Sequence, residues 1–304
     1  MTVIISELRP RQEVKNLKIK KAVIPAAGFG TRFLPITKVM SKELLPIIDR
    51  PAIEYVVKEA IDAGICEILL IISPHKKEVL DYFKANKILE EFLIEKNNTE
   101  GLKLIREYND IKINYVIQYE QLGLGHAVLH AKDFVGEEPF AVLLGDDLFY
   151  GENKPAIKEL IEVFSQYDSH ILGTMTVSDE ETIKYGIADP ILNQKGPVYE
   201  LKGFVEKPKP EVAPSRSAAC GRYILKPIIF KYLETQTRGV GGEIQLTDAI
   251  LNSTKETKLY SYDIKAKRYD IGSKDGYLKA IVEFALRRDD LRDKMLKIID
   301  ENSN

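Results

Sequence analysis

The chain has 304 residues, and 44 Lys+Arg against 46 Asp+Glu leave a formal charge of -2. That length supports one large core, or one plus a small appendage, and the charge disfavours a nucleic-acid binder, which would carry a basic excess. Cys66 and Cys220 stand too far apart for zinc spacing or a disulfide framework, and apolar runs such as Ile68 to Ile72 are too short to span a bilayer. A reducing cytoplasm, without membrane or nucleic-acid partners, is the expected setting. Residues 1–19 start apolar but turn charged by Glu7 and Arg9, and read as an N-terminal extension rather than a secretory signal.

Lys21–Pro25 predicts a buried strand that breaks into small residues and two glycines, followed by Thr31, Arg32, Lys38 and Lys42. A strand entering a glycine-rich, cationic loop brings backbone N–H groups and positive charge up to a polyphosphate. The Gly-Lys-Ser/Thr of the P-loop is absent, and Phe33 stands where the dinucleotide fingerprint needs a third glycine. A dehydrogenase is therefore remote.

Pro51–Gly64 predicts a helix with Ile53, Val56, Val57, Ala60 and Ile61 on one face and Gly64 as its stop. A strand (Glu67–Ser73), a helix (Lys76–Phe83) and a charged, helical insertion (Ala85–Asn109) follow. A strand at Lys112–Gln118, a helix from Leu124 and a strand at Phe140–Leu144 continue the alternation. This pattern predicts βαβ units and a mostly parallel sheet, whose ligands bind beyond the carboxyl ends of the strands. The glycine loop, Gln118 and the Asp146–Asp147 pair all fall at such ends. Beyond Gly151 come a helix (Lys154–Tyr167), a strand (Ile171–Val177) and turn-rich segments with short strands at Val198–Val205 and Ala218–Leu225. Ser273–Asn304 is helical and charged, suited to pack on the body or on a second subunit.

The motifs G-x-G-T-R, T-K and K-E-L-L-P within Ala22–Asp49 recur with others: Gln118 through Val128, L-L-G-D-D, K-Y-G, V-E-K-P, G-E-I-Q-L-T-D-A-I and R-Y-D-I-G. Together they resemble the sugar-nucleotidyltransferases, and among these the bacterial-type UTP–glucose-1-phosphate uridylyltransferases. One departure is Ser41 before Lys42, where that group usually has proline and the glucose-1-phosphate thymidylyltransferases have serine. The resemblance implies a Rossmann-like α/β fold with a mostly parallel mixed sheet flanked by helices, the nucleotide-diphospho-sugar transferase fold, and a smaller sugar-side β subdomain. Residues 20–272 would form the nucleotidyltransferase domain and residues 273–304 a C-terminal helical segment. It implies transfer of a uridylyl group from UTP to glucose 1-phosphate, with Mg²⁺, in a cytoplasmic homodimer or homotetramer. The alternatives are the same chemistry with dTTP, or a non-catalytic homologue that senses nucleotide sugars.

The attacking oxygen of a sugar phosphate is already anionic near neutral pH, so such a site needs cations more than a strong base. Arg32 and Lys42 are the expected cations for the triphosphate and leaving group, with Lys38 a weaker candidate. Asp146 follows a buried strand, and Mg²⁺ takes one or two carboxylates plus phosphate oxygens. By resemblance Asp146 and Asp270 hold the metal, with Asp147 beside the first. Ala27, Gly28, Gly30, Thr31, Gln118 and Gly123 fall to the nucleotide in the same way, with Gly123 admitting the base and His126 a helix-start or packing residue. Tyr185, Gly186, Glu206 and Lys207 fall to the sugar phosphate; Pro208 is expected to hold Lys207 extended.

Overall fold

Alternate residues of the first strand, β1 (Lys21–Pro25), are buried on opposite faces: Ala22 and Ile24 on one, Val23 on the other. A strand apolar on both sides must be covered twice, and helices cover it. The computed structural model describes residues 19–109, 111–191 and 196–303. The expected N-terminal extension lies outside the described residues, apart from the fully buried Ile19.

After β1 come a short hairpin, β2 (Pro46–Ile47) and β3 (Arg50–Pro51), then α1 (Ala52–Asp62) and β4 (Glu67–Ile72). Gly64 stops α1 as expected, with φ of 95°. The expected helix at 76–83 contracts to one turn, α2 (Glu78–Asp81), because residues 73–77 run as a turn that sends Lys76 inward. The insertion is two helices, α3 (Lys87–Glu95) and α4 (Thr99–Arg106), whose N-termini are capped by Asn86 and Asn98. Then follow β5 (Ile113–Ile117), α5 (Leu124–Leu129), α6 (Lys132–Val135), β6 (Phe140–Leu143), β7 (Asp147–Tyr150), α7 (Ala156–Tyr167) and β8 (His170–Thr176). The last part holds β9 (Gly186–Pro190), β10 (Val198–Glu206), β11 (Ser217–Leu225), α8 (Ile229–Thr235), α9 (Leu246–Ser253), β12 (Leu259–Asp263), β13 (Lys267–Asp270), α10 (Lys274–Arg287) and α11 (Asp289–Glu301).

Nine strands make one mixed sheet in the order β5-β4-β1-β6-β11-β8-β12-β10-β9. Parallel pairing holds through β5-β4-β1-β6, as the alternating pattern predicts. It is interrupted at β11, which runs antiparallel to both β6 and β8, and returns where β12 pairs with β8. The two segments expected on the sugar side, β10 and β11, belong to this same sheet rather than to a layer of their own. Two apolar clusters fill the opposite faces, one under α1 and α7, the other under α5, α8 and α9. Helix α10 packs on the body through Phe284, whose ring meets Tyr55, Tyr150 and Tyr269 edge-on.

A buried ion pair crosses the first of these faces. Arg222 of β11 is fully buried and donates to Glu59 of α1 at 2.7 Å and to the carbonyls of Gly221 and Asp147 at 3.0 and 2.7 Å. Glu59 also accepts from the Ile157 N–H at 2.9 Å, so both charges are saturated with hydrogen bonds. Removing one partner of such a pair strands the other charge. Glu59→Ala is expected to lower unfolding free energy by about 3–5 kcal/mol, measured by denaturant melts. A loss below about 1 kcal/mol would show that the pair does not anchor α1 to β11.

Candidate functional site

A cleft of about 1010 Å³ opens beyond the carboxyl ends of the central strands. Its lining brings together Arg32, Asp146 and Asp270 on one side and Tyr185, Gly186, Glu206 and Lys207 on the other. Residues more than 200 positions apart in the chain thus meet at one sheet edge, as the strand-end rule anticipates. Ala27, Gly28, Gly30, Thr31, Lys42, Gln118 and Gly123 are not among the lining residues, although Lys42 reaches the cleft through Asp146.

The loop after β1 is built to leave backbone open. The Ala26 N–H donates to Ile71 O at 2.8 Å, continuing the ladder, and Ala26 and Ala27 are buried. Gly28 then stands exposed, with nothing within 4 Å of where a side chain would project. Gly30 has φ of 66°, and a Cβ there would sit 3.1 Å from Thr37 and 3.2 Å from Lys42. The Thr37 hydroxyl donates to Gly30 O at 2.8 Å and closes the loop. Thr31–Phe33 forms a single turn that presents Arg32 outward, with no ion pair among the described residues. A guanidinium left unpaired at a cleft wall is ready for an anion. Ser41 is buried, and its hydroxyl donates to Glu78 on α2. Its side chain therefore fixes the loop from behind.

Lys42 pairs with Asp146, which follows β6. Burial pulls the Lys42 ammonium down, but Asp146 and Glu43 outweigh it and its pKa rises. Burial alone would lift Asp146; the charge and hydrogen bond of Lys42 hold it below the usual carboxylate range. Behind them, Lys76 donates to Glu43 at 2.7 Å and to Ala26 O at 3.0 Å. Burial presses both members of this inner pair toward their neutral forms, Glu43 up and Lys76 down.

The two acids converge. A Cβ placed on Gly272 would lie 2.9 Å from Asp146 Oδ2 and 3.0 Å from Asp270 Oδ1, so the two carboxylates flank one point that only glycine leaves clear. The Ile271 N–H donates to Asp146 O at 3.0 Å, and the β7–β13 ribbon sets Asp270 opposite Asp147. Among the described residues no group of three or more His, Cys, Asp or Glu forms a closed metal cage. Lys42 holds Asp146 Oδ2 and the Gly272 N–H donates to Asp270 Oδ1 at 3.0 Å, so a Mg²⁺ here would draw on the other two carboxylate oxygens and complete its shell with phosphate oxygens and water. Asp147 also lines the cleft but is engaged by Arg268: it accepts from Arg268 Nε at 2.6 Å, and burial, against the pull of Arg268, lifts its carboxyl to about 7.

Gln118 extends the same ladder on the other side of β4, its N–H donating to Ile72 O at 2.8 Å. Its side-chain amide is buried against the His126 ring, 2.9 Å from Gln118 Nε2 to His126 Nδ1. His126, expected only to start or pack a helix, thus holds that amide; burial, then His130, lowers its pKa and favours the neutral ring that can accept. The structure gives Gly123 a packing requirement as well. Its φ is 106°, and a Cβ would strike Glu243 Cβ and Ile244 O, each at 2.8 Å. The 243–245 segment packs there, fastened by Ile244 N–H to Leu122 O at 2.7 Å.

On the far wall, a Cβ on Gly186 would collide with the Phe204 ring at 2.4 Å, so β9 can pass β10 only with glycine there. Lys207 is not extended before Pro208, as expected, but left-handed, with φ of 47°. A backbone bond from its N–H to Tyr185 O at 3.0 Å holds that conformation and sends a half-exposed ammonium past Glu206, 3.6 Å away. The cleft also contains Arg268, a site residue that its place in R-Y-D-I-G marks but did not single out.

A nucleotidyl transferase family pattern matches residues 21–286. UTP–glucose-1-phosphate uridylyltransferase 2 of Staphylococcus saprophyticus is 49% identical over 283 residues, 93% of this chain and 97% of that protein. The structure of a UTP-bound UGPase from Acinetobacter baumannii is similar at 38% identity and a TM-score of 0.87, covering 93% of this chain and 99% of the other. A UDP-glucose pyrophosphorylase structure complexed with UDP-glucose is similar at 40% identity and a TM-score of 0.79, covering 89% of this chain and 100% of the other. With its fold and nearly its whole length in common with them, the chain belongs to the nucleotidyl transferase family, among the UTP–glucose-1-phosphate uridylyltransferases.

Proposed function

We propose that the chain transfers the uridylyl group of UTP to glucose 1-phosphate, giving UDP-glucose and pyrophosphate. The observation that carries this reading is the meeting of Asp146 and Asp270 in one cleft that Arg32 also lines, with Lys207 lining it from the end of β10, across the sheet from β1 and β6. Two anionic substrates can be held there together, which is most of what this transfer demands. Arg32 and Lys42 neutralise the triphosphate and departing pyrophosphate; Lys207 holds the sugar phosphate, Glu206 accepts from sugar hydroxyls, and the Tyr185–Gly186 turn meets the ring. Ala27, Gly28, Gly30, Thr31, Gln118 and Gly123 shape the nucleotide end. Asp146 and Asp270 hold Mg²⁺, which when bound supplies positive charge to the phosphate oxygens.

Two free cysteines, Cys66 and Cys220, support a cytoplasmic setting, and no helix of the described residues is long and apolar enough to cross a membrane. Outward-facing Leu296, Ile298 and Ile299 on α11 support a homodimer or homotetramer.

The dTTP alternative rests on Ser41, and that side chain faces Glu78 rather than the nucleotide loop's open side. UTP is expected to exceed dTTP in specificity constant by about 10- to 200-fold, the range one methyl in a pocket supports. ATP and GTP should be worse still, since a purine overfills a pyrimidine slot. Rates with each triphosphate and glucose 1-phosphate decide this; a clear preference for dTTP would move the chain to the thymidylyltransferase chemistry.

A further inference from the structure

Arg268 joins the two walls of the cleft. Its Nε donates to Asp147 Oδ1 at 2.6 Å, and its Nη1 donates to the Tyr185 hydroxyl at 3.1 Å. The guanidinium also lies 5.0 Å from the centroid of the Tyr185 ring, and its side chain is only 11% exposed. At one end, Asp147 is closely packed and held by its backbone. A Cβ on Gly221 would stand 2.3 Å from its other carboxylate oxygen, and Arg222 grips its backbone carbonyl at 2.7 Å. Asp147 follows Asp146 directly and faces Asp270 across the β7–β13 ribbon, so this end is continuous with both acids. At the other end, Tyr185 begins the turn into Gly186, and its carbonyl accepts from the Lys207 N–H at 3.0 Å.

Resting on the reading of the cleft given above, we propose that Arg268 is a positioning residue that sets the distance between the Asp146–Asp270 pair and the sugar-phosphate turn carrying Tyr185, Gly186 and Lys207. In-line transfer depends on that distance, and a misplacement of about 1 Å costs on the order of a hundredfold in rate. Only a planar fork can bond a carboxylate and a phenol hydroxyl at the same time while stacking on the phenol ring; a lysine keeps the charge and loses the bridge.

The test is steady-state kinetics on the full chain with Arg268→Lys, Tyr185→Phe and the double variant. Arg268→Lys is expected to lower kcat by on the order of a hundredfold and to raise KM for glucose 1-phosphate by about tenfold or more, while KM for UTP stays within about twofold. Tyr185→Phe should raise the same KM by a smaller factor, and in the Arg268→Lys background it should add nothing, because both variants cut one contact. Equal factors for Tyr185→Phe in both backgrounds, or equal damage to both KM values in Arg268→Lys, would overturn the proposal. Tyr185→Phe removes a single oxygen, so the test survives a folding defect at Arg268: an unchanged glucose 1-phosphate KM in that variant alone also overturns it. Lys207→Ala separates the two levels. If it spares glucose 1-phosphate binding, the assignment of the cleft fails; if it impairs binding while the Arg268 and Tyr185 effects are additive, only the bridge fails.

Discussion

Asp146→Asn is expected to fold normally and to lose about a hundredfold or more in turnover, and Asp270→Asn the same, since each removes a charge that holds the transition-state counter-ion. The two substitutions keep shape and hydrogen-bonding capacity, so packing around Gly272 should survive. Asp146 is also the ion-pair partner of Lys42, whose side chain is 18% exposed, so Asp146→Asn should cost more stability than Asp270→Asn while leaving the fold intact. Thermal melts beside rates measured against Mg²⁺ concentration check both halves of this expectation. Raised Mg²⁺ should restore part of the activity of either variant, because the remaining carboxylate still contributes to the site. Full turnover in a chelator, or in either folded variant, would remove the metal from the assignment.

Lys207→Ala and Arg32→Ala are expected to fail in different ways. Lys207 comes from the far wall, half exposed and anchored by its backbone to Tyr185, so its loss should chiefly raise KM for glucose 1-phosphate. Arg32 comes from the loop after β1 with no ion pair of its own among the described residues, so its loss should chiefly damage use of the triphosphate. A charge-assisted hydrogen bond to phosphate contributes about 1.5–3 kcal/mol, so each defect should be on the order of 10- to 100-fold in the affected constant. Varying each substrate in turn separates the two. Identical defects toward both substrates would show that the two walls do not divide the work.

The elements that position the site were legible where periodicity was strong. β1, β4 and β6 are continuous apolar runs, and α1 shows its buried face at Ile53, Val56, Val57 and Ala60. That same helix hides two acids that no pattern of apolar residues reveals. Glu54 is buried against Arg50, Tyr82 and Tyr108, and Glu59 against Arg222, 163 positions away in the chain. Pairing at that distance is set by tertiary packing alone. The antiparallel insertion of β11 into a parallel sheet was hidden for a similar reason, since a fully buried strand reads alike in either direction.

At the site, the residue types at strand ends were readable and their local geometry was not. The convergence of Asp146 and Asp270 follows from a ribbon between β7 and β13, two short strands that the sequence does not mark. Lys207 adopts a left-handed backbone despite the proline after it, because a hydrogen bond to Tyr185 O outweighs the local preference. Gly123 was recognisable as a glycine with a purpose, but its packing against the 243–245 segment was not. The bond between Gln118 and His126 spans eight residues from a strand end into α5, a geometry that depends on how the intervening loop turns.

Phosphorus NMR of the full chain with UTP, glucose 1-phosphate and Mg²⁺ tests the central claim most directly, because it follows both products in one sample. UDP-glucose and pyrophosphate should appear together in equal amounts as UTP and glucose 1-phosphate disappear, and the reverse reaction should start from those products. Bound but unconsumed UTP would instead make this a sensing protein, and release of orthophosphate in place of pyrophosphate would contradict nucleotidyl transfer.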